Sequence, residues 1–206
     1  ASTEIQGYVG LEIKNNITLT AKKMTRIGNR FIYDMGQNFA GVPRLKNMKG
    51  RKGQTITIHF AEMLYPETVP ENPRAPLTRE HYERNKGQMY MDNYRSAIST
   101  DYYTFRGAPE GETFEPPFTQ HGYRYVSIDG LDEPLPLEDV EGIVLESVGE
   151  QISRYETSNA DINQLFNNIV WGQRGNFLAV PTDCPQRDER LGWTGDANVF
   201  CRTSTY

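Results

Sequence analysis

Alternation of apolar and polar residues is the clearest pattern along the first three quarters of the chain. Across residues 54–60, isoleucine and phenylalanine alternate with threonine and histidine, which predicts a strand with one buried face. Shorter runs recur between polar, glycine-containing turns. These runs are residues 8–13, 17–23, 30–33, 42–45, 102–105, 124–128 and 140–146. Many short strands with polar turns predict a mainly β fold, a β-sandwich of jelly-roll type.

Residues 66–93 interrupt this alternation with prolines and charged residues. The segment is longer than an ordinary loop, which points to a function or to contact with another domain. We expect a long excursion from the sandwich, partly ordered by Tyr82, Tyr90 and Tyr94.

The pattern becomes helical after Gln151. Residues 158–161 supply an N-cap candidate and an acid for a first turn. An apolar stripe at i, i+3, i+4 and i+7 then predicts one buried helix face. The stripe is Ile162, Leu165, Phe166 and Ile169. Gly172 and Gly175 mark the end of this helix, and another helix is expected from Ala197.

Two regions follow from these patterns: a β-sandwich domain over residues 1–150 and a helical region over residues 151–206. One helix and the start of a second cannot bury their apolar faces alone. We therefore expect the helical region to be incomplete, and its helix to dock on the sandwich, to be poorly ordered or to pair with another copy.

Charge and hydropathy exclude two classes of partner. The net charge of −5, with no cluster of Lys and Arg, speaks against nucleic acid. No apolar run approaches the ~20 residues that span a bilayer.

The cysteines and histidines lack the spacing of metal ligands. Cys184 and Cys201 are expected to be unpaired thiols, although a bridge between them stays open. The histidines are expected to be ordinary hydrogen-bonded or solvated side chains. They are His59, His81 and His121.

Candidate chemistry is concentrated in residues 183–196, which hold four carboxylates, two arginines, one tryptophan, two glycines and a proline. Pro185 and the glycines disfavour a helix, so the stretch is expected to be an ordered loop. Paired carboxylates are typical of general acid and base catalysis. Four acids also suit a hard cation, but the interleaved arginines argue against one. Sugar binding by Asp, Arg and Trp fits the mixture, and so does a solvated loop of ion pairs.

The string DCPQRDERLGWTGDA, which begins at Asp183 and follows VPT, resembles the signature of the α-L-rhamnosidases of glycoside hydrolase family 78. Upstream blocks are similar to the β-sandwich domain that precedes the catalytic domain in this family. They are YDMGQN at 33–38 with Gly41, GQTITI at 53–58, AEML at 61–64 and FTQHGYRY at 118–125. The resemblance covers residues 30–206. It implies that residues 151–206 begin an (α/α)6 barrel, truncated here, with the signature on the loop after its first helix.

The resemblance also assigns roles to residues. It makes Glu189 the general acid that protonates the glycosidic oxygen, and it places Trp193 in the wall of the sugar pocket. The residues that it assigns to the rhamnose hydroxyls are Asp183, Arg187 and Asp196. A dry pocket and nearby aspartates would keep an acid protonated, whereas guanidinium groups oppose this. The opposing groups are Arg187 and Arg190. Asp188, the neighbour of Glu189, is expected to be an outward-pointing or structural residue.

The expected function is therefore part of an inverting hydrolase that removes terminal α-L-rhamnose from a glycoside or polysaccharide, without a metal or cofactor. An inverting enzyme needs a second carboxylate about 6.5–9.5 Å from the acid to activate water. No position here matches the family's base, so residues 1–206 alone are expected to be inactive and to need the remainder of the catalytic domain. Two alternatives stay open: a non-catalytic carbohydrate-binding sandwich module and a glycosidase of another specificity on the same barrel.

Overall fold

The structure, a computed structural model, describes residue 7 and residues 10–71, 77–189 and 191–205. It contains twelve strands and three α-helices in this part of the chain. The strands are β1 (Lys14–Thr20), β2 (Lys23–Ile27), β3 (Arg30–Met48), β4 (Thr55–Ala61), β5 (Met63–Leu64), β6 (Met89–Tyr90), β7 (Thr100–Thr104), β8 (Glu112–Phe114), β9 (His121–Asp129), β10 (Val140–Glu146), β11 (Phe177–Leu178) and β12 (Val180–Pro181). The helices are α1 (Arg79–Asn85), α2 (Ala160–Asn176) and α3 (Thr194–Phe200).

Eight of these strands form one antiparallel sheet, with β2 and β8 added along β3. The path of the remaining six is β1-β10-β3-β9-β4-β7. The predicted mainly β fold with helices at the end of the chain is confirmed.

β3 is a 19-residue strand that joins two of the predicted strands, residues 30–33 and 42–45. Its first half pairs with β2 and β9, and its second half pairs with β10 and β8. The register against β9 shifts between Asp34 and Phe39, where Gly36 has a φ of +80°. Such a bulge bends a strand and lets a sheet curl over its core. Alternation is lost at the bulge, so the pattern predicts two strands where the backbone continues as one.

The core contains the apolar face that the alternation predicts. Ile56, Ile58 and Phe60 on β4 are completely buried, whereas Thr55, Thr57 and His59 on the other face are not. Tyr33 is also completely buried, and its hydroxyl donates to the Leu135 carbonyl at 3.0 Å and accepts from the Leu135 N–H at 2.7 Å. These two hydrogen bonds offset the free-energy cost of removing the Tyr33 hydroxyl from water.

The other strand predictions have mixed outcomes. Residues 140–146 are β10, residues 124–128 lie within β9, and residues 102–105 overlap β7. Residues 17–23 span the break between β1 and β2. The prediction of a strand over 8–13 is wrong for residues 10–13, which are exposed and pair with no strand; residues 8 and 9 lie outside the described part. β8 was missed because three residues are too few to show alternation.

The excursion over residues 66–93 contains α1, β6 and the start of a 3-10 turn at Asp92–Tyr94. The segment packs around Tyr65, the residue just before it, whose hydroxyl bonds to His81 Nε2 at 2.7 Å and to Asp92 Oδ2 at 2.5 Å. The rings of Tyr82 and Tyr90 pack edge-on against Tyr65. The expected ordering by tyrosines is therefore present.

α2 begins where the sequence predicts. The Asn159 side chain accepts from the N–H groups of Asp161 and Ile162, a regular N-cap. The helix passes through both glycines and ends at Asn176.

α2 docks on the sheet, the first of the three arrangements expected for it. Arg174 forms an ion pair with Glu146 at the end of β10, at 3.0 Å. Trp171 packs against the core and Gly175 is buried. The predicted stripe is on another side of the helix: Ile162 is 43%, Leu165 58% and Ile169 42% exposed. Among the residues described, no helix has both the length and the apolar character needed to cross a bilayer.

Candidate active site

The candidate site is the loop of residues 182–193, between β12 and α3. Both of its ends are anchored by backbone hydrogen bonds. Thr182 N–H donates to the Asn176 carbonyl at 2.6 Å, and Trp193 N–H donates to the Pro181 carbonyl at 3.0 Å. The described residues between Asp183 and Trp193 form a loop, as Pro185 and Gly192 predict. The prediction of a loop is wrong for residues 194–196, which begin α3 with Gly195 among them.

The β-sheet supports the loop from below at Gly122 on β9. A Cβ atom placed on Gly122 would lie 2.9 Å from the Gln186 backbone nitrogen and 3.0 Å from Pro185 Cγ. These distances are too short for any side chain, so glycine is required for the close approach of strand and loop. The hydroxyl of buried Tyr94 donates to the Gly122 carbonyl at 2.7 Å and fixes the strand at the same point.

Arg187 is the centre of the charged cluster. Its Nη2 lies 2.5 Å from Glu189 Oε2 and 3.1 Å from Asp183 Oδ2. Its Nε donates to Cys184 Sγ at 2.7 Å. One guanidinium group therefore holds two carboxylates and a thiol in a fixed arrangement. Burial, together with a hydrogen bond to Asp183, raises the pKa of the Cys184 thiol, so that it stays protonated and unreactive.

Each carboxylate oxygen of Glu189 has an arginine partner. Its Oε1 accepts from Arg95 Nη1 at 3.3 Å, and Oε2 is held by Arg187. The indole Nε1 of Trp193 donates to the Glu189 carbonyl at 3.4 Å, so the indole stays beside the acid.

Asp196 lies in the first turn of α3 and lines a pocket of about 290 Å³ together with Asp183 and Trp193. The structure thus brings the five predicted site residues to one place, around Arg187 and this pocket. Asp188 is exposed and accepts a hydrogen bond from the Ser96 hydroxyl, in agreement with its predicted outward position. Arg190 lies outside the described residues.

A cation would have to compete with Arg187 for this cluster. The ligand atoms of Asp183, Cys184 and Glu189 lie within 4.8 Å of one another, the geometry of a small metal site. The Arg187 guanidinium already contacts all three groups and supplies the positive charge. The residues present therefore fit a site for a polar organic ligand better than a site for a metal ion.

The cysteines and the histidines match their predictions. Cys184 and Cys201 are free thiols. Each histidine has a hydrogen-bond partner in a neighbouring side chain. The pairs are His59 with Thr100, His81 with Tyr65, and buried His121 with Asp101.

Sequence reasoning missed the contribution of the β-domain to this site. Arg95 and Ser96 follow the excursion directly and contact Glu189 and Asp188. Nothing in the local sequence distinguishes Arg95 from other exposed arginines. The only signal for such a contact was the unusual length of the preceding excursion.

A β-domain is followed in this chain by helices and by a loop that carries acids, a guanidinium group and an indole. Two family models match the chain in that order. The bacterial alpha-L-rhamnosidase concanavalin-like domain matches residues 25–146, and the bacterial alpha-L-rhamnosidase 6 hairpin glycosidase domain matches residues 150–206. The chain belongs to the bacterial α-L-rhamnosidase family.

Individual relatives agree with this assignment. An α-L-rhamnosidase of Formosa agariphila is 44% identical over 198 residues, which cover 94% of this chain and 19% of the relative. The crystal structure of a Streptomyces avermitilis α-L-rhamnosidase complexed with L-rhamnose superposes with a TM-score of 0.81 at 40% identity, over 96% of this chain and 17% of that one. A Dictyoglumus thermophilum α-L-rhamnosidase gives 0.80 at 34% identity, over 95% of this chain and 20% of that one. The chain thus spans about a fifth of the length of these proteins.

Proposed function

We propose that this chain is the part of an α-L-rhamnosidase that supplies the general acid and several sugar-binding groups. The observation that carries the proposal is the gathering of Asp183 and Glu189 by Arg187, within the loop whose sequence matches the family signature. The names of the relatives, and the L-rhamnose bound to one of them, support a rhamnose-containing glycoside as the substrate.

In this reaction Glu189 gives its proton to the glycosidic oxygen as the bond to the anomeric carbon breaks. Asp183, Arg187 and Asp196 bind sugar hydroxyls, and Trp193 covers an apolar face of the ring. Water attacks the anomeric carbon from the opposite side, with inversion, while a second carboxylate takes a proton from that water.

Asp183 is poorly placed to be that second carboxylate. Its oxygen lies within 4.8 Å of Glu189, and the two acids share Arg187. An inverting pair is separated by about 6.5–9.5 Å to leave room for water. We assign the base to another part of the parent protein, the remainder of the (α/α)6 domain to which we also assign residues 151–206. Its further helices would also cover the exposed stripe on α2.

The test is Glu189→Gln in the full-length parent protein. Because the amide cannot give up a proton, kcat/KM should fall by about 10²–10⁴-fold for a rhamnoside with an alkoxide leaving group. The loss should be much smaller for a nitrophenyl rhamnoside, whose leaving group needs little protonation. Hydrolysis of both substrates is measured with purified protein.

Glu115→Gln is the matched control, because Glu115 is exposed on the sheet and bonds to Arg44 at 2.5 Å. It should hydrolyse both substrates at the wild-type rate. Full activity of Glu189→Gln would sink the general-acid assignment. Retained sugar binding with no hydrolysis by the wild-type parent would favour a binding module instead.

A further inference from the structure

Beyond the loop itself, Arg95 of the β-domain approaches the proposed general acid. We propose that Arg95, presented by the turn of residues 94–97, is a positioning residue for Glu189, and that the β-domain thereby completes the catalytic site. This inference rests on the proposed function of Glu189. The evidence is a pair of adjacent contacts, the conformation of the turn, and the way in which the turn is anchored.

The contacts join two consecutive residues of the turn to two consecutive residues of the loop. Arg95 Nη1 lies 3.3 Å from Glu189 Oε1, and the Ser96 hydroxyl donates to Asp188 Oδ2. The Arg95 side chain is 63% exposed, so this ion pair contributes little to folding stability. We therefore expect the ion pair to affect the orientation and charge of Glu189 rather than the stability of the fold.

The backbone of Arg95 is unusual for an arginine. Its φ of 56° and ψ of −116° are those of the first central residue of a type II′ turn, a position that glycine favours. The Ala97 N–H closes this turn on the Tyr94 carbonyl at 3.0 Å. A non-glycine residue in this conformation has a cost in conformational energy. Its presence therefore indicates that the side chain makes contacts that glycine cannot make.

The turn is also held firmly against the sheet. The Tyr94 hydroxyl bonds to Gly122, the same residue against which the loop packs. Asn93 Nδ2 donates to Glu62 Oε2 at 3.0 Å. The turn and the loop therefore both contact β9 at Gly122, which holds Arg95 close to Glu189.

The charges around Glu189 determine the sign of the effect. Arg187 and Arg95 contact its carboxylate directly, while Asp183, Asp188 and the Cys184 thiol lie in the same cluster. Nearby positive charge favours the ionised carboxylate and negative charge opposes it. Arg95 thus stabilises the carboxylate that remains after Glu189 has given its proton to the glycosidic oxygen.

The experiment is Arg95→Gly in the full-length parent, because glycine suits the backbone of the turn and removes the whole Arg95 side chain with its guanidinium group. Its melting temperature should be equal to or higher than that of the wild type. For an alkoxide-leaving rhamnoside, kcat should fall about tenfold, with a smaller change in KM. The alkaline limb of the pH profile of kcat/KM should move towards higher pH, because a positive charge beside the carboxylate has been removed.

Two further variants define the cause. Arg95→Lys keeps the charge, so its alkaline limb should stay near that of the wild type. Arg84→Ala removes an equal charge from the exposed side of α1 and should leave the profile unchanged. The proposal is overturned if Arg95→Gly has wild-type kcat, or if its activity falls while the alkaline limb stays in place. Should Glu189→Gln remain active, the general-acid assignment itself fails, and this outcome is separate from the behaviour of Arg95.

Discussion

At the scale of single residues, Glu112 shows how this chain holds a buried carboxylate outside the candidate site. It accepts from the Tyr103 hydroxyl at 2.5 Å and from the N–H groups of Arg106, Gly107 and Ala108 at 2.8–3.1 Å. The hydrogen bond from Tyr103, together with these N–H groups, outweighs burial and lowers the pKa of Glu112 to about 2. The carboxylate thus ties the segment after β7 to β8.

This shift predicts a pH dependence of stability. The pKa of Glu112 in the folded chain is lower than its ordinary value of 4.5, so its ionised form stabilises the fold fully above pH 4.5. The contribution falls as the pH drops from 4.5 towards 2. Glu112→Gln should therefore lower the free energy of unfolding at pH 7, and the difference from wild type should shrink towards pH 2.

Urea unfolding of both proteins across this pH range measures the difference. Glu115→Gln, at an exposed acid, is the control and should show no comparable trend. A difference between wild type and Glu112→Gln that is constant with pH would contradict the ionised-carboxylate explanation.

At the scale of secondary structure elements, β9 and the loop depend on each other. β9 lies between β3 and β4 in the sheet, so it is held by hydrogen bonds on both edges. Gly122 is where the loop meets this strand, close to Pro185 and Gln186. A rigid strand under a catalytic loop preorganises the side chains that the loop carries.

Gly122→Ala should displace the loop. The added methyl group meets backbone and ring atoms at 2.9–3.0 Å, and such overpacking costs about 1–3 kcal/mol. We expect a lower melting temperature and, in the full-length parent, a loss of rhamnoside hydrolysis. Gly149→Ala is the matched control, since nothing lies within 4 Å of its added methyl group. Unchanged activity of Gly122→Ala would show that the loop does not need this support.

At the scale of the whole molecule, the β-domain is joined to α2, a helix with one side covered by the sheet. Trp171 and Arg174 hold α2 on the sheet, whereas Leu165 on its apolar stripe is 58% exposed. The acid of the proposed reaction is present, and the base is assigned to another part of the parent.

Residues 1–206 alone should therefore bind and hydrolyse poorly. With an aryl α-L-rhamnoside we expect turnover no faster than the uncatalysed rate, because an inverting reaction requires its base. Purified chain, checked for folding by circular dichroism, is assayed beside the full-length parent. Rapid turnover by the shorter chain would mean that its own carboxylates suffice.

Much of this molecule could be predicted because its signals are local. The alternation in β4, the extent of β10 and the Asn159 cap are each encoded within a few consecutive residues. The predicted site residues lie within fourteen positions of one another, and their roles, which rest on the resemblance of this stretch to a family signature, stay a prediction. Hydrogen bonding, capping and turn chemistry act over such short distances, and they are readable without the fold.

Other features required the tertiary structure. The joining of two predicted strands into β3 depends on neighbours on both of its edges. The approach of Arg95 to Glu189 joins residues 94 positions apart through a turn that local preference assigns to glycine. The sequence by itself determined β4, β10, the start of α2 and the chemical groups of the loop, because these follow from neighbouring residues. Only the tertiary structure decided which face of α2 is covered and which β-domain residues reach the loop, because such contacts depend on how distant segments pack.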